Sequence, residues 1–130
     1  MANNVHADTA VPGGNYQVVA SAARTATPDT EEFTIGSDVD AIVLLINTSA
    51  SSTPSTTPKI EGVDRTSGAV WTLLTGAAIA ANGVVAMTVG TGVTAAANTA
   101  AGLPVPPVIR VTFTHGNANS HTYSARLICS

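Results

Sequence analysis

Short segments in which apolar and polar residues alternate limit the fold of this chain more than any other feature of its sequence. Residues 109–113 read Ile-Arg-Val-Thr-Phe, and a period of two is typical of a β-strand with one buried face. Residues 121–130 repeat the pattern, with an apolar face that runs from Tyr123 to Cys129. The residues between them, Gly-Asn-Ala-Asn-Ser at 116–120, have the composition of a hairpin turn. The two segments therefore predict an antiparallel β-hairpin.

The same pattern predicts six more strands earlier in the chain, each followed by a segment rich in Gly, Pro, Ser or Asp. Turns at intervals of about 8–12 residues are typical of an antiparallel β-sandwich. We therefore predict an all-β fold, jelly-roll or immunoglobulin-like, with about eight strands. The Ala-rich segments 77–81 and 94–101 are also compatible with a helical turn, but both end too soon for a long helix. The six further strands are predicted at residues 16–24, 32–35, 41–47, 59–65, 69–75 and 84–89.

The length of 130 residues fits one folded domain. Pro12, Gly13 and Gly14 separate the first strand from a polar start, which predicts a flexible N-terminal arm over residues 1–14 and a single sandwich domain over residues 15–130. The start has neither the basic residues nor the apolar run of a secretory signal, so we expect the chain to fold in the cytoplasm. Cys129 is the only cysteine, and we expect an inert thiol there.

Charged residues make up 10% of the chain, compared with about a quarter of a typical soluble protein. Five basic residues stand against eight acidic ones, which argues against a nucleic-acid partner because no basic surface is available for phosphates. The longest apolar run, residues 41–46, is far shorter than the roughly 20 residues of a membrane span. We therefore expect neither nucleic acid nor a membrane as a partner.

The apolar run 41–46 also indicates assembly. Both faces of this strand are apolar, so in a two-layer sandwich the outer face needs cover from a long loop or from a neighbouring subunit. A solitary soluble protein normally keeps a more charged surface, and we therefore expect a homo-oligomer. The candidate contact segments are the start 1–14, the Ser/Thr/Pro-rich loop 49–58, which we expect to be exposed, and the Ala/Thr-rich segment 94–107.

No group of residues predicts catalysis, a metal site or a bound cofactor, so we expect a protein that is not an enzyme. His115 and His121 flank the last turn without a third ligand nearby, and we expect both to lie in water. Asp38 and Asp40 can share one face but lie in a turn-like segment. A small hydrolase would require these four side chains to converge. Trp71 alternates with apolar neighbours, so we expect a core anchor more than a sugar-stacking platform.

Four segments resemble small virion proteins of tailed bacteriophages. They are residues 22–29 (AARTATPD), 58–75 (PKIEGVDRTSGAVWTLLT), 109–115 (IRVTFTH) and 120–125 (SHTYSA). The likeness extends over most of the chain from residue 20 onward, and its motifs are structural. Such proteins are similar to head decoration, or cement, proteins, which bind the outside of an expanded capsid as trimers or dimers and brace it against the pressure of the genome. Other members belong to tails or fibres.

The resemblance implies a protein made in the bacterial cytoplasm and located on the capsid exterior of the virion, with the major capsid protein and further copies of itself as partners. The alternative is a module of the tail or fibre that binds host glycan, with Trp71, Tyr16 or Tyr123 as stacking platforms. Asp64 and Arg65 are candidates for ion pairs between subunits or for a solvated hairpin end. The candidate contact residues are Val5, His6, Val11, Pro12, Ser52, Thr53, Pro54, Asp64, Arg65, Leu103 and Pro104.

Overall fold

The computed structural model describes residues 5–130, which contain nine β-strands and no helix. All eight predicted strands are present, and the additional strand, β7, has two residues within the Ala-rich segment 94–101. No helix that could cross a membrane occurs in this described part of the chain. The strands are β1 (Asn15–Arg24), β2 (Glu32–Thr34), β3 (Ala41–Ser51), β4 (Thr56–Val63), β5 (Val70–Thr75), β6 (Gly83–Gly90), β7 (Ala100–Ala101), β8 (Val108–His115) and β9 (His121–Cys129).

The strands form two sheets that pack face to face. The five-stranded sheet has the order β1-β9-β3-β6-β7, and the four-stranded sheet has the order β2-β8-β4-β5. Every pairing is antiparallel except that of β6 with β7. Thus the prediction of an all-β sandwich with about eight strands is confirmed.

Alternate residues of the central strands fill the space between the sheets. On β3 the side chains of Ile42, Leu44 and Ile46 are fully buried, and those of Ile109 and Phe113 on β8 face them from the four-stranded sheet. Burial of one such side chain contributes about 1.5–3 kcal/mol. The period of two in the sequence therefore marks the residues that hold the two sheets together.

The intervening residues of β3 lie on the outer face of the five-stranded sheet. Val43 and Leu45 are only partly buried there. The apolar run 41–46 is thus shielded on its inner face by the chain's own core and open in part on its outer face. No loop in residues 5–130 fully covers this outer face.

Residues 5–10 lie along the edge of β2, and residues 13 and 14 bond to the end of β9. Val5 pairs with Glu32 and Ala10 with Ile35, both in parallel, and Ala10 is fully buried. Gly13, with a φ of +83° that favours glycine, donates its backbone N–H to Cys129 O at 2.9 Å. The described part of the predicted arm is therefore in contact with the sandwich. Residues 1–4 of that arm lie outside the described residues.

The segment 49–58 differs from its prediction as an exposed loop. β3 continues to Ser51 and β4 begins at Thr56, so only residues 52–55 connect the strands. Pro54, Thr56 and Pro58 are buried. The β-branched Thr residues suit a pleated strand, and the alternation of buried and half-buried side chains starts before Lys59. The prediction of a long exposed loop is therefore wrong, although Ser52 and Thr53 at its tip are exposed.

Candidate functional site

The outer face of the five-stranded sheet combines apolar and hydroxyl-bearing side chains with very little charge. Val43 and Leu45 lie at its centre, and Val84 on β6 is 64% exposed. The cross-strand register places β9 and β6 residues beside those of β3. We call this surface the neutral face; its members are Val43, Leu45, Asn47, Val84, Ala86, Thr88, Thr122, Ser124, Arg126 and Ile128.

Arg126 is the one charged member of the neutral face among the described residues, and it is turned toward the margin. Its Nε donates to Asn15 Oδ1, and its Nη2 donates to Asn15 O at 3.2 Å. Asn15 begins β1, the edge strand of this sheet. The guanidinium group therefore lies at the border of the neutral face and leaves its centre uncharged.

The outer face of the four-stranded sheet has the opposite character. Glu61 on β4 pairs in register with Arg110 on β8, with 3.0 Å between Glu61 Oε1 and Arg110 Nη2. Arg110 is also opposite Glu32 on β2, and Glu32 forms an ion pair with Arg65 at 3.1 Å. Lys59 adds a further charge on this face. We call this surface the charged face. The two outer faces of the sandwich therefore differ in charge.

Asp64 and Arg65 both have partners inside their own chain. Arg65 bonds to Glu32 and donates from Nη2 to Thr34 Oγ1 at 3.2 Å. Asp64 accepts from Ser67 Oγ at 2.7 Å and from the Thr66 backbone N–H at 3.0 Å, and these hydrogen bonds lower the pKa of Asp64. The carboxylate thus stabilises the turn between β4 and β5.

His121 is fully buried between the sheets. Its Nε2 lies 2.8 Å from Thr48 Oγ1 on β3, and its Nδ1 lies 2.8 Å from Thr56 Oγ1 on β4. The expectation that His121 lies in water is therefore wrong. The reason is that two hydroxyl groups distant in sequence satisfy both ring nitrogens, which removes the main cost of burying an imidazole.

His115 and Tyr123 extend this polar cluster. His115 Nε2 lies 3.0 Å from the Tyr123 hydroxyl, and His115 Nδ1 is buried without a partner among the described residues. Burial is the main cause that lowers the pKa of His115 and His121, and it raises the pKa of Tyr123 to about 12. Arg24, stacked 4.7 Å from the centre of the Tyr123 ring, adds a positive charge that also lowers the pKa of both histidines.

Asp38 and Asp40 lie far from the two histidines. The backbone N–H of Asp40 bonds to Ser130 O beside the start of β3, whereas His121 pairs with Ser51 at the other end of that strand. The strand has 11 residues, which corresponds to about 33 Å. The four side chains that a hydrolase would need are therefore separated. Within residues 5–130, no group of three or more His, Cys, Asp or Glu side chains is placed to hold a metal ion.

Trp71 is 45% exposed on β5, so its prediction as a core anchor is wrong. It pairs with Gly62 on β4, and its indole ring lies against that glycine, where a Cβ would come within 2.4 Å of Trp71 Cζ2. Tyr16 is half-buried, and its hydroxyl accepts from the Val11 backbone N–H at 3.0 Å. Tyr123 is fully buried. Of the three aromatic candidates for sugar stacking, Trp71 is thus the exposed one.

An open apolar depression lies beside β5. Leu73 and Leu74 form one side of it, and Val93 and Leu103 form part of the other. Leu103 and its neighbour Pro104 are exposed. The depression therefore lies where the edge of the four-stranded sheet meets the connection from β6 to β8.

The predicted contact residues fall at three separate places. Val5, Val11 and Pro12 are exposed near the β2 edge. Arg65 lies at the same edge, where it forms an ion pair with Glu32 of β2. His6 is half-buried there, with its ring stacked 4.6 Å from that of Phe33. Ser52 and Thr53 are at the tip of the β3–β4 connection, and Leu103 and Pro104 border the depression. Pro54 is buried, so its side chain is not part of an exposed surface.

Sequence reasoning missed most of the neutral face. The apolar run of β3 predicted that an outer surface needs cover, but the partners of Val43 and Leu45 come from β6 and β9. Once the register is known, the alternation of the strands places exposed Val84 and half-buried Ile128 on this face. Comparisons with protein-family models, with curated proteins and with solved structures find no match to this chain.

Proposed function

We propose that this chain is a bacteriophage capsid decoration protein that binds the outer capsid surface through its neutral face and stabilises the head lattice. The observation that carries the proposal is the difference in charge between the two outer faces of the sandwich. Charge is collected on one outer face, where Glu61, Arg110 and Glu32 lie in register, while the other outer face has one Arg at its margin. One weakly charged face and one charged face suit a protein that binds a lattice on one side and faces solvent on the other.

The size of the neutral face fits binding in many copies. The members of the neutral face lie on β3, β6 and β9, which have 11, 8 and 9 residues; three such strands about 4.8 Å apart give a flat area of about 400 Å². A stable interface between two proteins uses about 800 Å² per partner. A single copy is therefore expected to bind weakly, and an oligomer that contacts several capsid subunits gains strength through avidity.

The charged face is suited to point toward solvent in the assembled particle. Its ion pairs are partly exposed, and such pairs contribute little to stability, up to about 1 kcal/mol each. With a formal net charge of −3, the chain gives a decorated head a more negative exterior, which opposes aggregation of particles. We place the protein on the capsid exterior after synthesis in the bacterial cytoplasm.

The test is co-sedimentation of the purified chain with expanded, DNA-free heads of the phage that encodes it. Leu45→Lys places a charge in the middle of the neutral face, and we expect it to reduce binding at least about tenfold because the charge must be desolvated. The matched control is Thr57→Lys on the charged face, which should bind as the parent does. Binding lost in the control and retained in Leu45→Lys would overturn the proposed orientation. Absence of binding by the parent chain would overturn the function.

The second candidate function is a tail or fibre module that binds host glycan. The observation that favours it is the exposed ring of Trp71, because an indole in contact with solvent is a suitable platform for the apolar face of a sugar. A glycan array with the parent chain and with Trp71→Ala tests this candidate. Binding that depends on Trp71 would support it, and no glycan binding by the parent would exclude it.

A further inference from the structure

Within residues 5–130, the two sheets of the sandwich have four edges, and these edges differ in how well they are protected. An edge strand presents unpaired backbone N–H and C=O groups that can pair with another chain, so proteins usually block such edges with charges, bulges, short strands or covering segments. The edges here are β1 and β7 in one sheet and β2 and β5 in the other. The four edges differ in which of these forms of protection they have.

Arg24 and two bulges make β1 an irregular edge; the Arg24 guanidinium lies at the seam with β9, where Nη1 also donates to Tyr123 O at 2.8 Å. Its Nη2 donates to Ala20 O at 2.5 Å and its Nη1 donates to Ala22 O at 3.2 Å, so two carbonyl groups of the strand are occupied. The pairing of β1 with β9 is also interrupted by two register shifts. A bulged strand twists away from a regular partner. This edge is therefore a poor template for a further strand.

The edges at β2 and β7 are protected differently. Residues 5–10 lie beside β2, where His6 N donates to Glu32 O at 2.7 Å and Ala10 N donates to Thr34 O at 2.8 Å. β7 has only two residues, which is too short to seed a regular ladder.

Among the described residues, β5 has fewer of these protections: one bulge, at Leu73, interrupts its pairing with β4, whereas β1 has two. β5 is six residues long, reads Val-Trp-Thr-Leu-Leu-Thr, and contains no charge and no proline. Within residues 5–130, its backbone has hydrogen-bonded partners only on the β4 side. Val70, Trp71 and Thr72 are all exposed. The one long open edge of the described sandwich thus coincides with its exposed Trp and with the apolar depression.

We infer that two copies of this chain pair through their β5 strands, antiparallel about a twofold axis, and that each Trp71 ring lies on the depression of the other copy. The two four-stranded sheets then form one continuous sheet of eight strands. A twofold interface brings the same surface of both copies together. This inference goes beyond the proposed function, because it names the contact between copies rather than the contact with a capsid.

The register supports a second copy as the occupant. Full overlap of two antiparallel β5 strands places Trp71 of one copy opposite Leu74 of the other. Within the chain, Trp71 pairs with Gly62 and Leu74 with Ile60, so both project to the inner side of the four-stranded sheet. Residues directly opposite in an antiparallel pair share a face. The exposed indole therefore meets the apolar side of the partner that Leu73, Leu74 and Leu103 line.

Charge also favours the antiparallel arrangement of two copies. Asp64 lies in the turn at the Val70 end of β5, and Lys59 pairs with Thr75 at the other end. Antiparallel pairing brings the Asp64 end of each copy toward the Lys59 end of the other, which joins opposite charges. A parallel arrangement would bring the two Asp64 ends together, and like charges repel. The strand itself adds no charge to either arrangement.

The inference is tested by the mass of the purified full chain in solution. Six paired residues span only about 20 Å, so the dimer is expected to be weak and to form between about 1 μM and about 1 mM. Sedimentation equilibrium should show a reversible change from 13.0 kDa to twice that mass. Because Trp71 is the only tryptophan, its emission should move to shorter wavelength as the dimer forms, and acrylamide should quench it less.

Two variants and one control identify the interface. Thr72→Lys places a charge on the edge strand and Trp71→Ala removes the ring; each should raise the dissociation constant at least about tenfold, while circular dichroism shows the same fold. Val84→Lys, an exposed apolar position outside β5, should leave the dimer unchanged. A monomer at all concentrations, or a dimer lost only in Val84→Lys, would overturn the inference. A monomer that still binds heads would overturn the dimer but not the proposed decoration function. A β5 dimer that binds no heads would support the dimer and overturn the decoration function.

Discussion

His121 and Thr56 join the two sheets through a buried hydrogen bond of 2.8 Å between Nδ1 and Oγ1. His121 belongs to β9 in the five-stranded sheet and Thr56 to β4 in the four-stranded sheet. Its other ring nitrogen contacts Thr48 on β3, in its own sheet. The imidazole thus fixes the distance between the sheets at the end of the sandwich where the β3–β4 and β8–β9 connections lie.

Replacement of Thr56 by Val should destabilise the protein. The methyl group keeps the shape of the side chain but leaves His121 Nδ1 buried without a partner, which costs about 1–3 kcal/mol. Urea unfolding should show this as a lower midpoint with an unchanged slope. The control is Thr57→Val on the same strand, which faces outward and should change the free energy of unfolding by less than about 0.5 kcal/mol. Equal effects of the two variants would contradict the buried bond.

The stability of the protein should fall as the pH is lowered below about 6.5. The folded state lowers the pKa of His115 and His121, so it binds fewer protons than the unfolded state. Stability is therefore fully present above the unfolded pKa and is lost below it, by at most about 1.4 kcal/mol per pH unit for each histidine. Arg24 and Tyr123, which face these rings, do not change charge in this range.

Chemical unfolding at pH 7.5 and at pH 5 measures this dependence. The variant His121→Gln should weaken it, since one of the two titrating groups is removed. The carboxylate of Asp64, whose pKa is lowered by its hydrogen bonds, contributes only at more acidic pH, because its effect begins near its ordinary value of 3.8. A free energy of unfolding that stays constant from pH 7.5 to pH 5 would show that the histidines do not couple to folding.

Adjacent leucines on β3 should differ sharply in their contribution to stability. Leu44 is fully buried between the sheets, and Leu44→Ala should cost about 2–5 kcal/mol through lost burial and the cavity left behind. Leu45 lies partly exposed on the neutral face, so Leu45→Ala should cost much less, about 1 kcal/mol. Thermal unfolding of the two variants side by side checks the orientation of β3. A larger loss for Leu45 would reverse the assignment of its faces.

Gly62→Ala should displace the indole of Trp71. The added Cβ would lie 2.4 Å from Trp71 Cζ2, and since the ring is exposed it can move outward at small cost. Tryptophan fluorescence at a concentration where the chain is monomeric should shift to longer wavelength. Gly68→Ala is the comparison, because its φ of +77° is strained for alanine while nothing lies within 4 Å of the new Cβ. That variant should lose about 1 kcal/mol of stability without a spectral change.

The strands could be predicted from the sequence because alternation is local. Residues 109–113 and 121–129 carry the period of two within a few positions, and the structure places strands at both. Trp71 has the same local pattern but lies on an edge strand, and the position of β5 within its sheet depends on pairings with β4 that its own neighbours do not encode. The prediction that Trp71 is buried in the core is therefore wrong.

His121 could not be placed from the sequence for a related reason. The hydroxyl groups that satisfy it are 65 and 73 positions away, and neither Thr48 nor Thr56 carries a motif that marks a histidine partner. The neutral face was visible only in its β3 part, since its other members become neighbours through the register of β6 and β9. Local pattern thus gave the elements, and distant pairing determined which side chains meet.

The position of β9 has a consequence for how the polypeptide matures on the ribosome. β9 lies between β1 and β3, and Asn15 of β1 pairs with Ile128, more than a hundred residues later in the chain. Among the described residues β1 pairs with no other strand, so it stays unpaired in the nascent chain until β9 has been synthesised and has left the exit tunnel. Closure of that sheet is therefore a late event in folding, and pairing over such separations is slow. Until then β1 is an unpaired strand to which chaperones can bind.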